Sequence, residues 1–117
     1  SVILHSDERR IKSIIHNIMS NSVKYADSTK EQCLLQVSVH VDDQRCLLTF
    51  TDNGQGISPE NQTKVFEMFY RATAQRSGSG LGLYIVKEMT ERIGGKVSLQ
   101  STPHVGTTVT IDVPNLR

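Results

Sequence analysis

Apolar residues recur early in the chain at Ile11, Ile14, Ile15 and Ile18, and Ser22 and Val23 continue the same side. That is the i, i+3, i+4, i+7 spacing of a helix with one apolar face. It predicts a helix over about residues 7–26. Asp7 stands where a cap belongs, and Glu8 lies in the first turn, where an anion suits the unpaired N–H groups. Asp27-Ser28-Thr29-Lys30 reads as a loop. The period then shortens to two. Cys33, Leu35, Val37, Val39 and Val41 alternate with Leu34, Gln36, Ser38 and His40, which predicts a strand with one apolar face. After a turn at Asp42-Asp43-Gln44, Cys46, Leu48 and Phe50 alternate with Leu47, Thr49 and Thr51. The two segments read as an antiparallel hairpin.

Asp52-Asn53-Gly54-Gln55-Gly56 breaks the second strand, and Ser58-Pro59-Glu60 opens a short helix with Ser as cap and Pro at the first position. Residues 71–80 are small and polar with two glycines; they offer little to bury and predict a mobile loop. From Leu81 to Ile93 the helical period returns, with Gly82, Ile85, Val86, Met89 and Ile93 on one face, until Gly94-Gly95 stops it. Lys96–Thr102 and Thr107–Val113 read as strands, Pro114 ends the last, and residues 1–5 could add an edge strand. The order is mostly helix, hairpin, helix, hairpin. The fold class expected is α+β: a two-layer α/β sandwich, one sheet with the helices on one face.

Composition narrows the function. A chain of 117 residues suits one domain with one core. A formal net charge of +1 disfavours a dedicated nucleic-acid or membrane-surface binder. No stretch approaches the roughly 20 apolar residues of a membrane span, and Ser1-Val2-Ile3-Leu4-His5 does not read as a signal peptide. Cys33 and Cys46 form no C-x-x-C pair, so zinc is not expected. Both fall at apolar-face positions, which predicts buried free thiols and fits a reducing, cytoplasmic setting.

Three groupings could carry chemistry. Asn17, Asn21, Lys24 and Tyr25 fall within an arc of about 100° that adjoins the apolar arc of the first helix. Alone, this is a boundary stripe of ordinary polar residues; read chemically, two carboxamide oxygens one turn apart suit a hard cation such as Mg²⁺, and Lys24 suits phosphate. Asp52 ends a strand beside Gly54 and Gly56, where backbone can approach a ligand closely. It is either a strand-ending turn or an acceptor for an exocyclic amine, which would select adenine over guanine. Gly78-Ser79-Gly80-Leu81-Gly82-Leu83 leads into a helix, the setting in which free N–H groups bind phosphate. It is neither a dinucleotide fingerprint nor a Walker loop.

Together these segments resemble one family. His16 to Ala26 resembles the N box of the sensor histidine kinases, and Asp52-Asn53-Gly54-Gln55-Gly56-Ile57 their first glycine box. Val65 to Arg71 is similar to their F box, Gly78 to Leu83 to their second glycine box, and Gly106-Thr107-Thr108 to their last. The resemblance covers nearly the whole chain. It implies the Bergerat fold, with a mixed, mostly antiparallel sheet of about five strands and about three helices. It implies ATP and Mg²⁺ as cofactors. Asn21 would be the principal metal ligand, with Asn17 beside the metal and phosphates. Lys24 and Arg71 would meet phosphate, and with Asn17 they would form the catalytic set. Asp52, with Gly54, Gly56 and Ile57 around it, would bind the adenine amine, and Thr107 would reach that network directly or through water. Tyr25 and Tyr70 would line the base or ribose. Gly78, Gly80 and Gly82, with Leu81 and Leu83, would form the lid that meets the phosphates. Phe66 and Phe69 would anchor its base.

The sequence departs from the family pattern at His104, where a glycine is usual, and in a short lid whose one cation is Arg76. No phosphoacceptor box is found: His5, His16, His40 and His104 read as surface or capping residues. The expectation is therefore a catalytic module spanning 1–117, monomeric in isolation. It would serve a histidine on a dimerisation domain of the same protein, with a response regulator downstream and the parent protein possibly anchored in a membrane. Two alternatives stay open, an ATPase of the same fold and a nucleotide-binding module without transfer activity. The ATPases carry a Glu one turn before the metal-binding Asn, to activate water. Position 17 is Asn, which favours transfer.

Overall fold

A computed structural model of the chain describes residues 6–24, 26–62, 64–67 and 82–115. The order of elements is α1 (Glu8–Lys24), β1 (Leu35–Val41), β2 (Arg45–Asp52), α2 (Pro59–Gln62), α3 (Gly82–Arg92), β3 (Lys96–Thr102) and β4 (Gly106–Pro114). The helix starts follow the capping residues. Asp7 Oδ1 accepts from Arg10 N at 3.2 Å while Asp7 O accepts from Ile11 N, so its side chain and main chain together close the first turn. Ser58 O accepts from the N–H groups of Asn61 and Gln62, with Pro59 at the first helical position. The turn between β1 and β2 is an Asx turn. Asp42 Oδ1 accepts from Arg45 N at 2.7 Å and Gln44 N at 2.8 Å, and these bonds hold its carboxyl below the ordinary carboxylate range.

Among the described residues the sheet has four strands in the order β1-β2-β4-β3, every neighbouring pair antiparallel. About five strands in a mixed sheet were expected; residues 1–5, the expected extra edge, lie outside the described residues. Two hairpins with three-residue turns, joined through β2 and β4, leave no parallel pair among these four strands.

Directly paired residues share a face, so the register stacks the inner face in rungs. Three are apolar: Val41, Cys46 and Val113; Val39, Leu48, Ile111 and Val97; Val37, Phe50, Val109 and Leu99. The fourth is Leu35, Asp52, Thr107 and Ser101. Its turn to polarity marks the end of the core. Ile14 and Ile18 of α1, Leu83 and Val86 of α3, and Ile93 just after it pack over β2 and β4 to close that core. The buried Thr90 fits the apolar face of α3 because its hydroxyl donates to Val86 O at 2.6 Å.

Two expectations about β1 fail for one reason. Val37 and Val39, on the apolar side of the alternation, are 46% and 59% exposed. Cys33, expected to be a buried thiol, is exposed, whereas Cys46 is buried and its thiol is pushed up by burial. β1 lies at the edge of these four strands, beyond the cover of the helices, and it begins two residues after Cys33. Alternation reports which residues share a face, not how far the second layer reaches.

Candidate functional site

The polar rung lies where β2, β3 and β4 end beyond the core, and it has been assembled from three distant segments. Asp52 is half-buried. Its Oδ1 accepts from Gly54 N at 2.9 Å and Thr107 N at 3.2 Å, and its Oδ2 accepts from Ser22 Oγ at 3.2 Å. The Ser22 bond ties α1, with its asparagine pair, to the strand-end carboxylate. Ser101 stands beside Thr107. Its Oγ accepts from Ile57 N at 2.8 Å, donates to Gly106 O at 2.9 Å and lies 2.8 Å from Thr107 Oγ1. Gln62 Nε2 reaches back from α2 to Ser101 O and Ile57 O, both at 2.9 Å.

Two glycines allow this closeness. A Cβ on Gly106, at φ 147°, would meet Asp52 O, and one on Gly56, at φ 75°, would meet Thr102 O. Only a residue without a side chain permits both the backbone angle and the approach. The turn between β3 and β4 is thereby laid against the loop after β2, where His104 N donates to Gln55 O at 2.7 Å. His104 takes φ 67°, so the loop keeps a left-handed position of the kind that favours glycine, with a side chain in it.

Lys30 closes the arrangement from the loop after α1. Its ammonium donates to Asn53 O at 2.7 Å, Val105 O at 3.0 Å and, at 3.5 Å, Gly54 O. Asn53 pins the same loop: its Oδ1 accepts from Leu34 N and its Nδ2 donates to Gln32 O, both at 2.8 Å. Between these loops lies a cleft of about 430 Å³, bordered by Asp27, Thr29, Ile57, Asn61 and His104 among others. Hydrogen bonds from the Thr29 hydroxyl and N–H hold the Asp27 carboxyl below its ordinary range.

The expected site residues divide as follows. Asp52, Gly54, Gly56, Ile57 and Thr107 are brought together around the rung. Asn17 and Asn21 are half-buried on α1. Asn17 Nδ2 donates to Ser13 O at 2.7 Å, which leaves its carboxamide oxygen as the group to meet a cation. Gly82 opens α3, and Leu83 sits in the core. Lys24 is the last residue of α1, but its side chain lies outside the described residues, as do Tyr25, Tyr70, Arg71, Gly78, Gly80 and Leu81. Among the described residues no group of three His, Cys, Asp or Glu could hold a metal. The carboxamide oxygens of Asn17 and Asn21, completed by phosphate and water, are a donor set that would suit Mg²⁺.

Ser22, Lys30, Ser101 and Gln62 escaped the sequence reading. Ser22 and Ser101 did leave a signal, each being polar at a position whose phase is apolar. Lys30 left none, because its partners are backbone carbonyls far away in sequence.

Residues 6–117 match the family described as histidine kinase-, DNA gyrase B-, and HSP90-like ATPase. The chain is 34% identical over 119 residues to the sensor histidine kinase YcbM of Bacillus subtilis, covering 98% of this chain and 37% of that protein. It spans 37% of that relative, and 9% of the sensor protein EvgS of Escherichia coli, to which it is 36% identical over 113 residues covering 92% of this chain. The fold superposes on the mycobacterial sensor histidine kinase MprB with a TM-score of 0.79 at 28% identity, covering 95% of this chain and 76% of the other. It superposes on full-length ShkA in complex with AMPPNP with a TM-score of 0.75 at 28% identity, covering 97% of this chain and 24% of the other.

Proposed function

Since the chain belongs to the histidine kinase-, DNA gyrase B- and HSP90-like ATPase family, we propose that its polar rung reads the adenine of Mg-ATP. We further propose that, within a longer sensor kinase, it transfers the γ-phosphoryl group to a histidine on a dimerisation domain. The observation that carries the base assignment is the filling of Asp52. An ionised carboxylate only accepts, and two backbone N–H groups occupy its Oδ1. With Ser22 on Oδ2, one acceptor position is left. Adenine offers an amine there, where guanine offers a carbonyl. Capture of guanine through two neighbouring N–H groups would need both oxygens.

On this reading Asn21 would hold Mg²⁺ through its carboxamide oxygen, with Asn17 beside the metal and the phosphates, and the ion would supply charge neutralisation there. Lys24, Arg71 and the N–H groups of Gly78, Gly80 and Gly82 hold the phosphoryl oxygens, so that catalysis is positioning plus charge neutralisation. Asn17 is not a base at neutral pH, which supports transfer over hydrolysis. The product phosphohistidine would pass its phosphoryl group to a receiver domain. No described helix is long and apolar enough to cross a membrane; we place this domain in the cytoplasm, with any anchor elsewhere in the parent.

Asp52→Asn is the test. The amide keeps an oxygen for the Gly54 and Thr107 N–H groups and turns a donor toward the base. ATP affinity by calorimetry is expected to fall about 10- to 100-fold, the loss of a charge-assisted hydrogen bond, with the melting temperature nearly unchanged. Undiminished affinity would remove the adenine assignment.

A further inference from the structure

Lys30 is half-buried in the loop after α1, and its ammonium holds carbonyls on two other loops: Asn53 O at 2.7 Å and Gly54 O at 3.5 Å on one, Val105 O at 3.0 Å on the other. These are the loops that fix Asp52. The Asn53 carbonyl and the Gly54 N–H belong to one trans peptide plane and point to opposite sides of it. Lys30 takes one end of that plane while the other end donates to Asp52 Oδ1 at 2.9 Å. A cation on the carbonyl polarises the peptide and makes its N–H a stronger donor. The second donor to Oδ1, Thr107 N at 3.2 Å, stands two residues after Val105. Between them is Gly106, whose backbone lies directly against Asp52 O.

We propose that Lys30 is a positioning residue for nucleotide binding: by clamping the Asn53 and Val105 carbonyls it holds both N–H donors on Asp52 Oδ1 and keeps Oδ2 turned toward the ligand. Lys30 itself touches no ligand on this account. An ammonium suits the task, because its three donors on one atom can serve carbonyls on separate loops at once. A carboxylate whose Oδ1 donors are loose turns more freely, since its last torsion is broad and two-fold. Ser22 Oγ, a single neutral donor at 3.2 Å on Oδ2, is then its remaining side-chain tie. The loop that carries Lys30 follows α1, which bears Asn17 and Asn21, so Ser22 and Lys30 together register that helix against the strand-end carboxylate. The inference rests on the adenine reading of Asp52.

The test is a double-mutant cycle in ATP affinity, by calorimetry, on the unaltered chain, Lys30→Met, Asp52→Asn and the double variant, at a temperature where melting curves show each folded. Amide exchange at Gly54 reports the hydrogen bond itself. Lys30→Met is expected to weaken ATP binding roughly 5- to 10-fold, about the worth of one neutral hydrogen bond, and to speed exchange of the Gly54 amide. In the Asp52→Asn background the same change is expected to cost less than about 2-fold, because the group that Lys30 holds toward the base is then the wrong one. A merely structural role would lower affinity equally in both backgrounds. Equal losses, undiminished affinity in Lys30→Met or unchanged Gly54 exchange would each overturn the proposal. Lys30→Gln, which keeps most of the stem and a neutral donor, carries the comparison should the methionine variant not fold: it is expected to weaken ATP binding only where Asp52 is present, and undiminished affinity in it would count equally against the proposal. Asp52→Asn weakened for ATP, with an additive Lys30 effect, would remove this inference alone. An Asp52→Asn chain that binds ATP undiminished would remove the adenine reading and this inference with it.

Discussion

His104 shows how much a single backbone position constrains a site. At φ 67° its Cβ stands in a region that costs an L-residue about 1–2 kcal/mol, yet its N–H donates to Gln55 O, and the N–H of Thr107, three residues on, donates to Asp52 Oδ1. His104→Gly removes that strain but adds freedom to the unfolded chain, worth about 0.5–1 kcal/mol. The net expectation is a gain of up to about 1 kcal/mol in urea denaturation, with ATP affinity unchanged. A loss of stability would show that the imidazole contributes more to the loop than its backbone costs. The same scale explains what sequence reading missed. Ser22 and Ser101 each break an apolar phase by one hydroxyl, and that break has meaning only once their partners, 30 and 6 residues away at Asp52 and Thr107, are known.

At the scale of elements, the loops around the rung are held by side chains that substitute for missing ladder bonds. Asn53 extends the β1–β2 pairing past its end by bonding Leu34 N and Gln32 O. Lys30 does the same for three backbone carbonyls that no strand satisfies in its place. Lys30→Met keeps the aliphatic stem and deletes the ammonium. It is expected to cost about 1–2 kcal/mol in chemical denaturation, the range for hydrogen bonds from a charged donor at a partly exposed site. A midpoint equal to that of the unaltered chain would make Lys30 an ordinary solvated charge. The helices and hairpins themselves were legible. Capping by Asp7 and Ser58 and the change of period from 3.6 to 2 are local properties, and the described part of α1 runs to Lys24 against a sequence estimate of residue 26, with residue 25 outside the described residues.

At the scale of the molecule, what matters is the reach of the helical layer over the sheet. It buries β2 and β4, where Ile111 is fully enclosed, and leaves Val39 59% exposed. Isolated apolar alternation cannot distinguish these two positions, because they share a rung. Their substitutions should differ sharply. Val39→Thr is expected to change stability by no more than about 0.5 kcal/mol, whereas Ile111→Ala should cost about 2–5 kcal/mol through the cavity it leaves. Thermal melts of the two variants make the comparison. A large loss at Val39 would mean that β1 is covered in solution.

The amino-acid sequence by itself determined the element types, their order, the α+β class and the set of motifs that resemble a histidine kinase ATP-binding domain. These depend on period, caps and spacing, which are written along the chain. Only the tertiary structure decided that Asp52 has a single acceptor position left, that Lys30 and Ser101 belong to the site, and that Val37, Val39 and Cys33 escape the core. Each depends on register and on which layer covers which strand. Those are contacts between segments far apart in sequence, and no local pattern records them.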